Sequence, residues 1–298
     1  MMTSPVQKSI PVTTQKIVCP TCDRDSSTIK YQINISKVQN SSIWIDNQEF
    51  EPDLSAGLNI VSCQDCGLYY INPQPQLQPN QMSYSYQAEI RYFNRTKQQR
   101  ENAYRELFSK IPDILGRQPK THLDFGCGDG VMIGVARDFG VSSFGTEISQ
   151  PLIHFVNDQY GPGTIINYEN QSTQPGTFDV ITLINVIEHV TQPLHILNEI
   201  KQRLQPDGIV LIHTINIGGI PARISKQNWS HIEPLGHFFY FTKGSLMQML
   251  NKAGFQIIGR FDLKTGGRPK QVLQELFGRM NLHLDNGLGV VARLLANN

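Results

Sequence analysis

A glycine-rich turn that begins at Asp124 has the composition of a ligand-binding site. The acid ends a short apolar run, and glycines follow at alternate positions as Gly126, Gly128 and Gly130. Glycine lets the chain adopt positive φ and bring its backbone close to a ligand, and the helix predicted after the turn offers free N–H groups. The turn is therefore a candidate binding site, although such a turn can also be a plain connection between a strand and a helix.

An acid that could bind ribose follows the next predicted strand. Glu147 lies 19 residues after Gly128, close to the spacing at which a doubly wound sheet places a carboxylate against ribose hydroxyls. The dinucleotide fingerprint Gly-x-Gly-x-x-Gly is not met, because the third glycine comes one residue early and Val131 stands where the fingerprint requires glycine. The pattern favours a cofactor without a pyrophosphate; a glutamate that is merely solvated is the alternative.

Two residues suited to proton chemistry follow a third predicted strand. Glu188 and His189 come directly after the buried-strand pattern of residues 178–185. Parallel strands bring their carboxyl ends to one edge, so this pair is predicted to lie near the glycine turn. A histidine near neutral pH can accept a proton, and a glutamate can orient it or face a cation. The alternative is that His189 caps or packs the following helix.

Four of the five cysteines form two Cys-x-x-Cys pairs, which predict a metal site. The pairs are Cys19 with Cys22 and Cys63 with Cys66, separated by 40 residues. Two such turns brought together offer the four sulfur ligands that tetrahedral zinc prefers. Free thiols or a redox pair are the alternative. A closed four-cysteine site has no position left for substrate, so the predicted zinc is structural.

The composition excludes several classes of protein. With 26 basic and 25 acidic residues the net charge is +1, so no overall field favours nucleic acid or an anionic membrane. The N-terminus lacks the pattern of a signal peptide, and no apolar run is long enough to span a membrane. The sequence predicts a soluble cytoplasmic protein with no nucleic-acid partner, and its oligomeric state is left open.

These candidate residues require a sheet with helices to position them. Apolar periodicity predicts strands and helices in alternation over the large C-terminal part. Predicted strands end near residues 124, 147, 168, 185, 214 and 295, and a further strand starts at 255–258. Predicted helices cover 91–111, 131–139, 151–160, 194–204, 246–253 and 271–280. The predicted division is a disordered tail over 1–16, a zinc-ribbon domain over 17–75, a linker or lid over 76–90, and the large domain over 91–298.

Three motifs together resemble a known family. Asp-x-Gly-x-Gly-x-Gly after a strand resembles motif I of the class I S-adenosylmethionine-dependent methyltransferases, and Val-Ile-Glu-His-Val at 186–190 resembles motif IV. The Leu-x-Pro-x-Gly turn at 204–208 also recurs in this family, although Asp207 stands where glycine is commoner. The second cysteine pair, an aromatic strand and Asn-Pro-x-Pro resemble the N-terminal module of zinc-ribbon methyltransferases from saccharide and natural-product biosynthesis.

The resemblance implies S-adenosylmethionine as the cofactor. Asp124 and the glycine turn would hold its methionine end and Glu147 its ribose, while Asn167, Tyr168 and Glu169 remain equal candidates for the adenine. Cys127 is a small filler within the turn. The cofactor-binding residues predicted in this way are Asp124, Gly126, Cys127, Gly128, Gly130, Glu147, Asn167 and Asn185.

The resemblance also implies residues on the acceptor side. Tyr84 lies in a segment that would fold over the cofactor, and interdomain packing is its alternative role. A Trp-x-His…His-x-x-Tyr stretch adds His231, His237 and Tyr240 as acceptor-site candidates, and an aromatic mini-core is the alternative there. The predicted catalytic residues are His189, Glu188, Tyr84 and His237.

The sequence thus predicts an α/β protein with a Rossmann-like sheet of seven strands, the last antiparallel, and a small zinc-ribbon β domain. The predicted function is methyl transfer from S-adenosylmethionine to a small molecule or nucleotide-linked sugar, with structural Zn(II). No Asn/Asp-Pro-Pro-Tyr/Phe motif follows the fourth strand, which disfavours methylation of nucleobase amines. The alternatives are a nicotinamide-dependent oxidoreductase and a non-catalytic zinc-ribbon binding protein.

Overall fold

The computed structural model describes residues 9–33, 43–45, 48–54, 57–77, 86–166, 176–263 and 286–296. The strands are β1 (Ser9–Pro11), β2 (Thr13–Gln15), β3 (Ser27–Ile33), β4 (Ile43–Ile45), β5 (Gln48–Asp53), β6 (Leu58–Cys63), β7 (Tyr69–Ile71), β8 (Gln74–Gln76), β9 (Thr121–Phe125), β10 (Ser142–Thr146), β11 (Phe178–Ile184), β12 (Leu204–Ile215), β13 (Phe239–Tyr240), β14 (Phe255–Phe261) and β15 (Gly287–Leu294). The helices are α1 (Tyr86–Leu115), α2 (Val131–Asp138), α3 (Gln150–Tyr160), α4 (Pro193–Arg203), α5 (Ile220–Ser225) and α6 (Lys243–Lys252).

A mostly parallel sheet forms the centre of the large domain. Its order in the described residues is β10-β9-β11-β12-β15-β14, and only β15 runs antiparallel to its neighbours. A parallel bridge between Gly145 and Ile165 adds the position of the predicted third strand beside β10. The predicted Rossmann-like sheet with a last antiparallel strand is confirmed. Its central strands are buried on both faces, which explains the mostly apolar, β-branched sequence of β11.

The strand order creates the crevice in which the candidate residues meet. The chain moves from β9 outward to β10 and then returns to place β11 on the other side of β9. Ligands bind beyond the carboxyl ends of parallel strands at such a reversal. The glycine turn leaves β9 at this point, and Glu188 follows β11 there.

Helix α1 covers one face of this sheet and is longer than predicted. Its buried residues Tyr104, Leu107, Phe108 and Ile111 form the expected helical stripe and pack with residues of α2. The helix nevertheless extends from Tyr86 to Leu115, beyond the predicted range 91–111. Its first turn has no apolar periodicity, so the sequence pattern could not reveal this start within the predicted linker.

Two other predicted boundaries differ from the structure. The predicted disordered tail is wrong for residues 9–15, because β1 pairs with β5 and β2 pairs with β8. Backbone pairing with an available strand edge does not require apolar side chains, so a polar composition did not reveal these strands. Residues 204–208, predicted as a turn, begin β12, because Leu204 pairs with Phe178 across a register shift.

The cysteine-rich segment shares a sheet with the large domain. The order β13-β7-β6-β3 joins three N-terminal strands to β13, which begins two residues after His237 in the chain. The Ile71 N–H also donates to the Phe238 carbonyl (2.9 Å). Leu68 and Tyr70 pack in the same buried cluster as Phe239. The N-terminal segment therefore supports the loop that carries His237.

No helix in the described part of the chain is both long and apolar enough to cross a membrane. The predicted helix over 271–280, Tyr84 and Asn167 lie outside the described residues.

Candidate functional site

The glycine turn has the conformation that its composition predicts. Gly126, Gly128 and Gly130 have φ values of 76°, 55° and 75°, a region that other residues adopt only with strain. The N–H groups of Gly126 and Cys127 donate to the Thr146 carbonyl (3.0 and 2.9 Å), which ties the turn to the end of β10. Gly130 caps the start of α2. The turn is thus fixed beside both β9 and β10.

Asp124 is held by a buried chain of hydrogen bonds that the sequence analysis missed. The Thr182 hydroxyl donates to Asp124 Oδ1 (2.6 Å), and His122 Nε2 lies 2.9 Å from the same hydroxyl. His122 Nδ1 lies 2.8 Å from the Ser143 hydroxyl. Because Thr182 donates to the acid, its oxygen accepts from His122. Polar residues inside buried strands were the available signal for this chain.

Burial governs the titration of these groups. It raises the pKa of Asp124 to about 7, and the Thr182 hydrogen bond opposes the rise. It lowers the pKa of His122 to about 3, so the imidazole is neutral. The carboxyl of Asp124 is therefore poised between its two protonation states near neutral pH.

Glu147 lies against the glycine turn, as its spacing predicts. Its Oε2 accepts from the Gly128 N–H (2.9 Å), and its Oε1 accepts from the N–H groups of Ile148 and Ser149 (2.8 and 2.9 Å). Burial raises the pKa of Glu147, and these three N–H donors oppose the rise. The acid is therefore positioned by backbone donors at the edge of the turn.

Helix α1 covers the turn through contacts that the sequence did not reveal. Arg100 forms a two-point ion pair with Asp129 (2.7 Å for each bond), and its guanidinium lies over the Phe93 ring. A Cβ added to Gly128 would lie 3.0 Å from the Phe93 ring. An arginine on a polar helix face is usually solvated, so its pattern gave no signal for this pair.

Two predicted cofactor residues have other contacts. Cys127 packs with Ile133 and Val156, and its Sγ would be 2.6 Å from a Cβ on Gly145, as expected of a small filler. Asn185 adopts positive φ (54°), and its Oδ1 lies 2.8 Å from His213 Nδ1. The side chain of Asn185 thus faces β12 in this structure.

The structure brings Glu188, His189 and His237 together. One ligand atom from each lies within 4.8 Å of the others, and the two imidazole centroids are 4.6 Å apart. Glu188 is fully buried and its Oε2 accepts from the Thr214 hydroxyl (2.9 Å), whereas His189 is partly exposed. The ring centroids of Tyr240 and His237 are 6.3 Å apart, and the two ring planes are perpendicular. Sequence reasoning had named all four residues but not their convergence.

Burial shifts these titrations as well. It raises the pKa of Glu188 to about 7, an effect that the Thr214 hydrogen bond opposes, and it lowers the pKa of His189 to about 4. His189 Nδ1 lies 2.9 Å from the Gly236 carbonyl and His237 Nδ1 lies 2.8 Å from the His231 carbonyl. A carbonyl only accepts, so both Nδ1 atoms carry the proton and both Nε2 atoms keep a lone pair.

The two halves of the site are in direct contact. A Cβ on Gly126 would lie 2.6 Å from Val186 Cγ2, so the segment between β11 and Glu188 packs onto the glycine turn. The Phe238 N–H donates to the Glu188 carbonyl (2.8 Å), which joins the His237 loop to the same segment. A ligand on the turn and a ligand beside His189 would therefore occupy one crevice.

The four paired cysteines form a separate cluster. All four are free thiols whose sulfur atoms lie within 4.8 Å of one another, and the Sγ atoms of Cys19 and Cys66 are 3.4 Å apart, as are those of Cys22 and Cys63. A disulfide would require about 2.05 Å, whereas zinc bonds of about 2.3 Å at tetrahedral angles place sulfurs about 3.8 Å apart. Burial raises the pKa of the Cys19 thiol, and the backbone N–H groups of residues 21 and 22 oppose the rise. The donor set fits zinc.

Comparisons with known proteins agree on the large domain. A family model described as a methyltransferase domain matches residues 97–259. The ubiquinone biosynthesis O-methyltransferase of Pseudomonas paraeruginosa is 30% identical over 113 residues, which are 36% of this chain and 49% of the relative. The mitochondrial ubiquinone biosynthesis O-methyltransferase of Saccharomyces cerevisiae is 34% identical over 127 residues, 39% of this chain and 40% of the relative. The chain thus spans half or less of these relatives.

Solved structures share the fold at low identity. The plantazolicin methyltransferase BpumL, solved with a monoazolic desmethylPZN analog and SAH, has a TM-score of 0.51 and 17% identity, over 70% of this chain and 89% of that chain. An S-adenosylmethionine-dependent methyltransferase from Clostridium acetobutylicum has a TM-score of 0.50 and 8% identity, over 71% and 99% of the two chains. The chain therefore belongs to the methyltransferase-domain family and has the fold of class I S-adenosylmethionine-dependent methyltransferases.

Proposed function

We propose that the chain transfers the methyl group of S-adenosylmethionine to a hydroxyl-bearing small molecule, such as a nucleotide-linked sugar or another saccharide. The observation that carries this proposal is the contact of Val186 with Gly126. It places Glu188 and His189 beside the glycine turn, at the reversal of strand order where such sheets bind ligands. Cofactor and acceptor then meet in one crevice.

The cofactor is assigned to the turn and its neighbours. Asp124 and the glycine turn hold the methionine end, and Glu147, which already faces Gly128, holds the ribose. Arg100 and Phe93 keep helix α1 closed over the turn. Asn167 remains the proposed adenine contact, with Asn185 as a further cofactor residue.

Methyl transfer is an in-line displacement at carbon. The acceptor oxygen bonds to the methyl group while the bond from methyl to sulfur breaks, which leaves S-adenosylhomocysteine. The protein mainly has to align the three atoms. The hydroxyl proton must also leave, and the unprotonated Nε2 of His189 can accept it because Nδ1 is committed to Gly236. Glu188, His237 and Tyr84 complete the proposed reacting side.

Two observations bear on the acceptor. The named relatives are O-methyltransferases, which supports a hydroxyl as the acceptor group. The saccharide class rests on the sequence resemblance around residues 63–75 and 229–240. A net charge of +1 gives no support to a nucleic-acid partner.

We further propose that Cys19, Cys22, Cys63 and Cys66 hold a structural zinc ion. Four sulfur ligands fill a tetrahedral zinc site, so its contribution is to stabilise the N-terminal sheet. That sheet supports the His237 loop through β7 and β13. Reduced, paired thiols suit a reducing compartment, so we place the protein in the cytoplasm.

The proposal is tested by binding and product analysis. Calorimetry should show binding of S-adenosylhomocysteine, and incubation with methyl-labelled S-adenosylmethionine and a panel of nucleotide sugars, saccharides and phenols should yield a labelled product identified by mass. His189→Asn should lower kcat while cofactor affinity is kept, whereas His195→Ala, on the exposed side of α4, should match the parent. Binding of NAD but not S-adenosylhomocysteine would instead indicate an oxidoreductase, and binding of neither would indicate a scaffold.

A further inference from the structure

Three side chains that can each offer a lone pair, those of Glu188, His189 and His237, lie close together. The Nδ1 protons of His189 and His237 are donated to the carbonyls of Gly236 and His231, so each ring presents an unprotonated Nε2. Metal-binding histidines commonly have this arrangement, in which a backbone carbonyl fixes the tautomer and orients the ring.

The third acceptor is an oxygen of the Glu188 carboxylate. Glu188 is fully buried, its Oε2 accepts from Thr214, and its Oε1 has no hydrogen-bond partner within the described part of the chain. A buried carboxylate oxygen without a partner is costly. One proton could satisfy one of the three acceptors, but a divalent cation satisfies all of them at once.

We propose that Glu188, His189 and His237 bind a divalent transition-metal ion, at a site distinct from the four cysteines. Two imidazoles and one carboxylate suit Zn(II), Co(II) or Fe(II), and three protein ligands leave coordination positions open. The partial exposure of His189 gives the site access to solvent.

The ligands need little movement to close around an ion. Their candidate atoms lie within 4.8 Å of one another, while metal bonds of about 2.0 Å at tetrahedral angles require separations of about 3.3 Å. Small rotations of the side chains cover this difference. The two segments that carry the ligands are already joined by the hydrogen bond from Phe238 N–H to the Glu188 carbonyl.

Metal binding stands independently of the proposed methyl transfer. If both hold, an acceptor hydroxyl at an open position would have its pKa lowered by the ion. Its proton would then leave to water, its oxygen would bond to the methyl group, and the carbon–sulfur bond would break. In that state His189 is a ligand and no longer the proton acceptor.

The test is metal stoichiometry of the full chain. After loading with Co(II), the parent should hold two ions per chain: one with a thiolate-to-cobalt charge-transfer band from the cysteines, and a second without that band. Glu188→Gln, which keeps the shape of the side chain, and His237→Ala should each lose the second ion or bind it at least tenfold more weakly. His195→Ala should retain both ions.

Folding is checked in each variant by the thiolate band and by binding of S-adenosylhomocysteine. A parent that binds one Co(II), or a folded Glu188→Gln that binds two as tightly as the parent, would overturn the inference. Because metal is counted without turnover, failure of methyl transfer alone leaves this result readable. Conversely, a parent that transfers methyl groups but binds one Co(II) would overturn the metal inference and leave the proposed function in place.

Discussion

Replacement of Gly126 by alanine should weaken cofactor binding, because the new Cβ both strains the turn and displaces the segment that packs on it. The new Cβ would lie 2.6 Å from Val186 Cγ2 and 3.3 Å from its Cγ1, so both methyl groups of this stiff β-branched side chain crowd it. Val186 or the turn must therefore move, and that movement reaches Glu188 two residues later. Gly140 has the same φ of 76°, but its added Cβ would have no described atom within 4 Å, which makes Gly140→Ala the matched control.

The two variants should differ by the cost of the clash. Alanine at positive φ costs about 1–2 kcal/mol in either variant, and overpacking adds about 1–3 kcal/mol in Gly126→Ala alone. Urea unfolding measures this difference, and calorimetry measures the affinity for S-adenosylhomocysteine. We expect affinity to fall at least tenfold, or about 1.4 kcal/mol, in Gly126→Ala and to stay unchanged in Gly140→Ala. Equal affinities in the two variants would refute the placement of the cofactor on this turn.

Three further changes test other parts of the structure. Asp129→Asn leaves the buried Arg100 guanidinium without its carboxylate partner and should lower the free energy of unfolding in urea by about 3–5 kcal/mol. Asp138→Asn, in an exposed ion pair, should lower it by less than about 1 kcal/mol. Similar losses of stability in the two variants would contradict the role of burial. Because the pKa of Asp124 is raised, the folded protein still binds a proton at pH values where the unfolded chain has released it. This residue therefore lowers the free energy of unfolding of the cofactor-free parent by up to about 4 kcal/mol as pH rises from about 4 to 7. Asp124→Asn should lack this dependence, and the same pH profile of stability in parent and variant would be evidence against the shift. Cys22→Ser should lose bound zinc and lower kcat/KM more than cofactor affinity, because the cysteine-rich sheet supports the His237 loop. If mass spectrometry finds as much zinc in this variant as in the parent, the four-cysteine site is excluded.

Local sequence chemistry accounts for the predictions that the structure confirms. The positive φ values at Gly126, Gly128 and Gly130 follow from a turn that only glycine adopts without strain. The mostly apolar sequence of β11 indicates a strand buried on both faces, and the apolar stripe of α1 indicates a helix buried on one face. The spacing of Glu147 reflects the length of one helix and one strand. Such features depend on neighbours in sequence, so a pattern can carry them.

Features that depend on distant partners were missed. Residues 9–15 form strands because β5 and β8 offer free edges, which their own composition does not show. Arg100 is separated from Asp129 by 29 residues and becomes buried only when α1 lies across the turn. Thr182 and His122 face each other because β9 and β11 are neighbours in the sheet.

The sequence by itself determined the class I methyltransferase sheet, the glycine turn and the two cysteine pairs, because these are set by residue type and short spacing. Only the tertiary structure decided that Glu188, His189 and His237 converge, with both histidines in one tautomer and with one glutamate oxygen that no described residue satisfies. It also decided that the cysteine-rich sheet supports this cluster through β13. His237 follows His189 by 48 positions in the chain, and only the packing of the sheet fixes which atoms then meet.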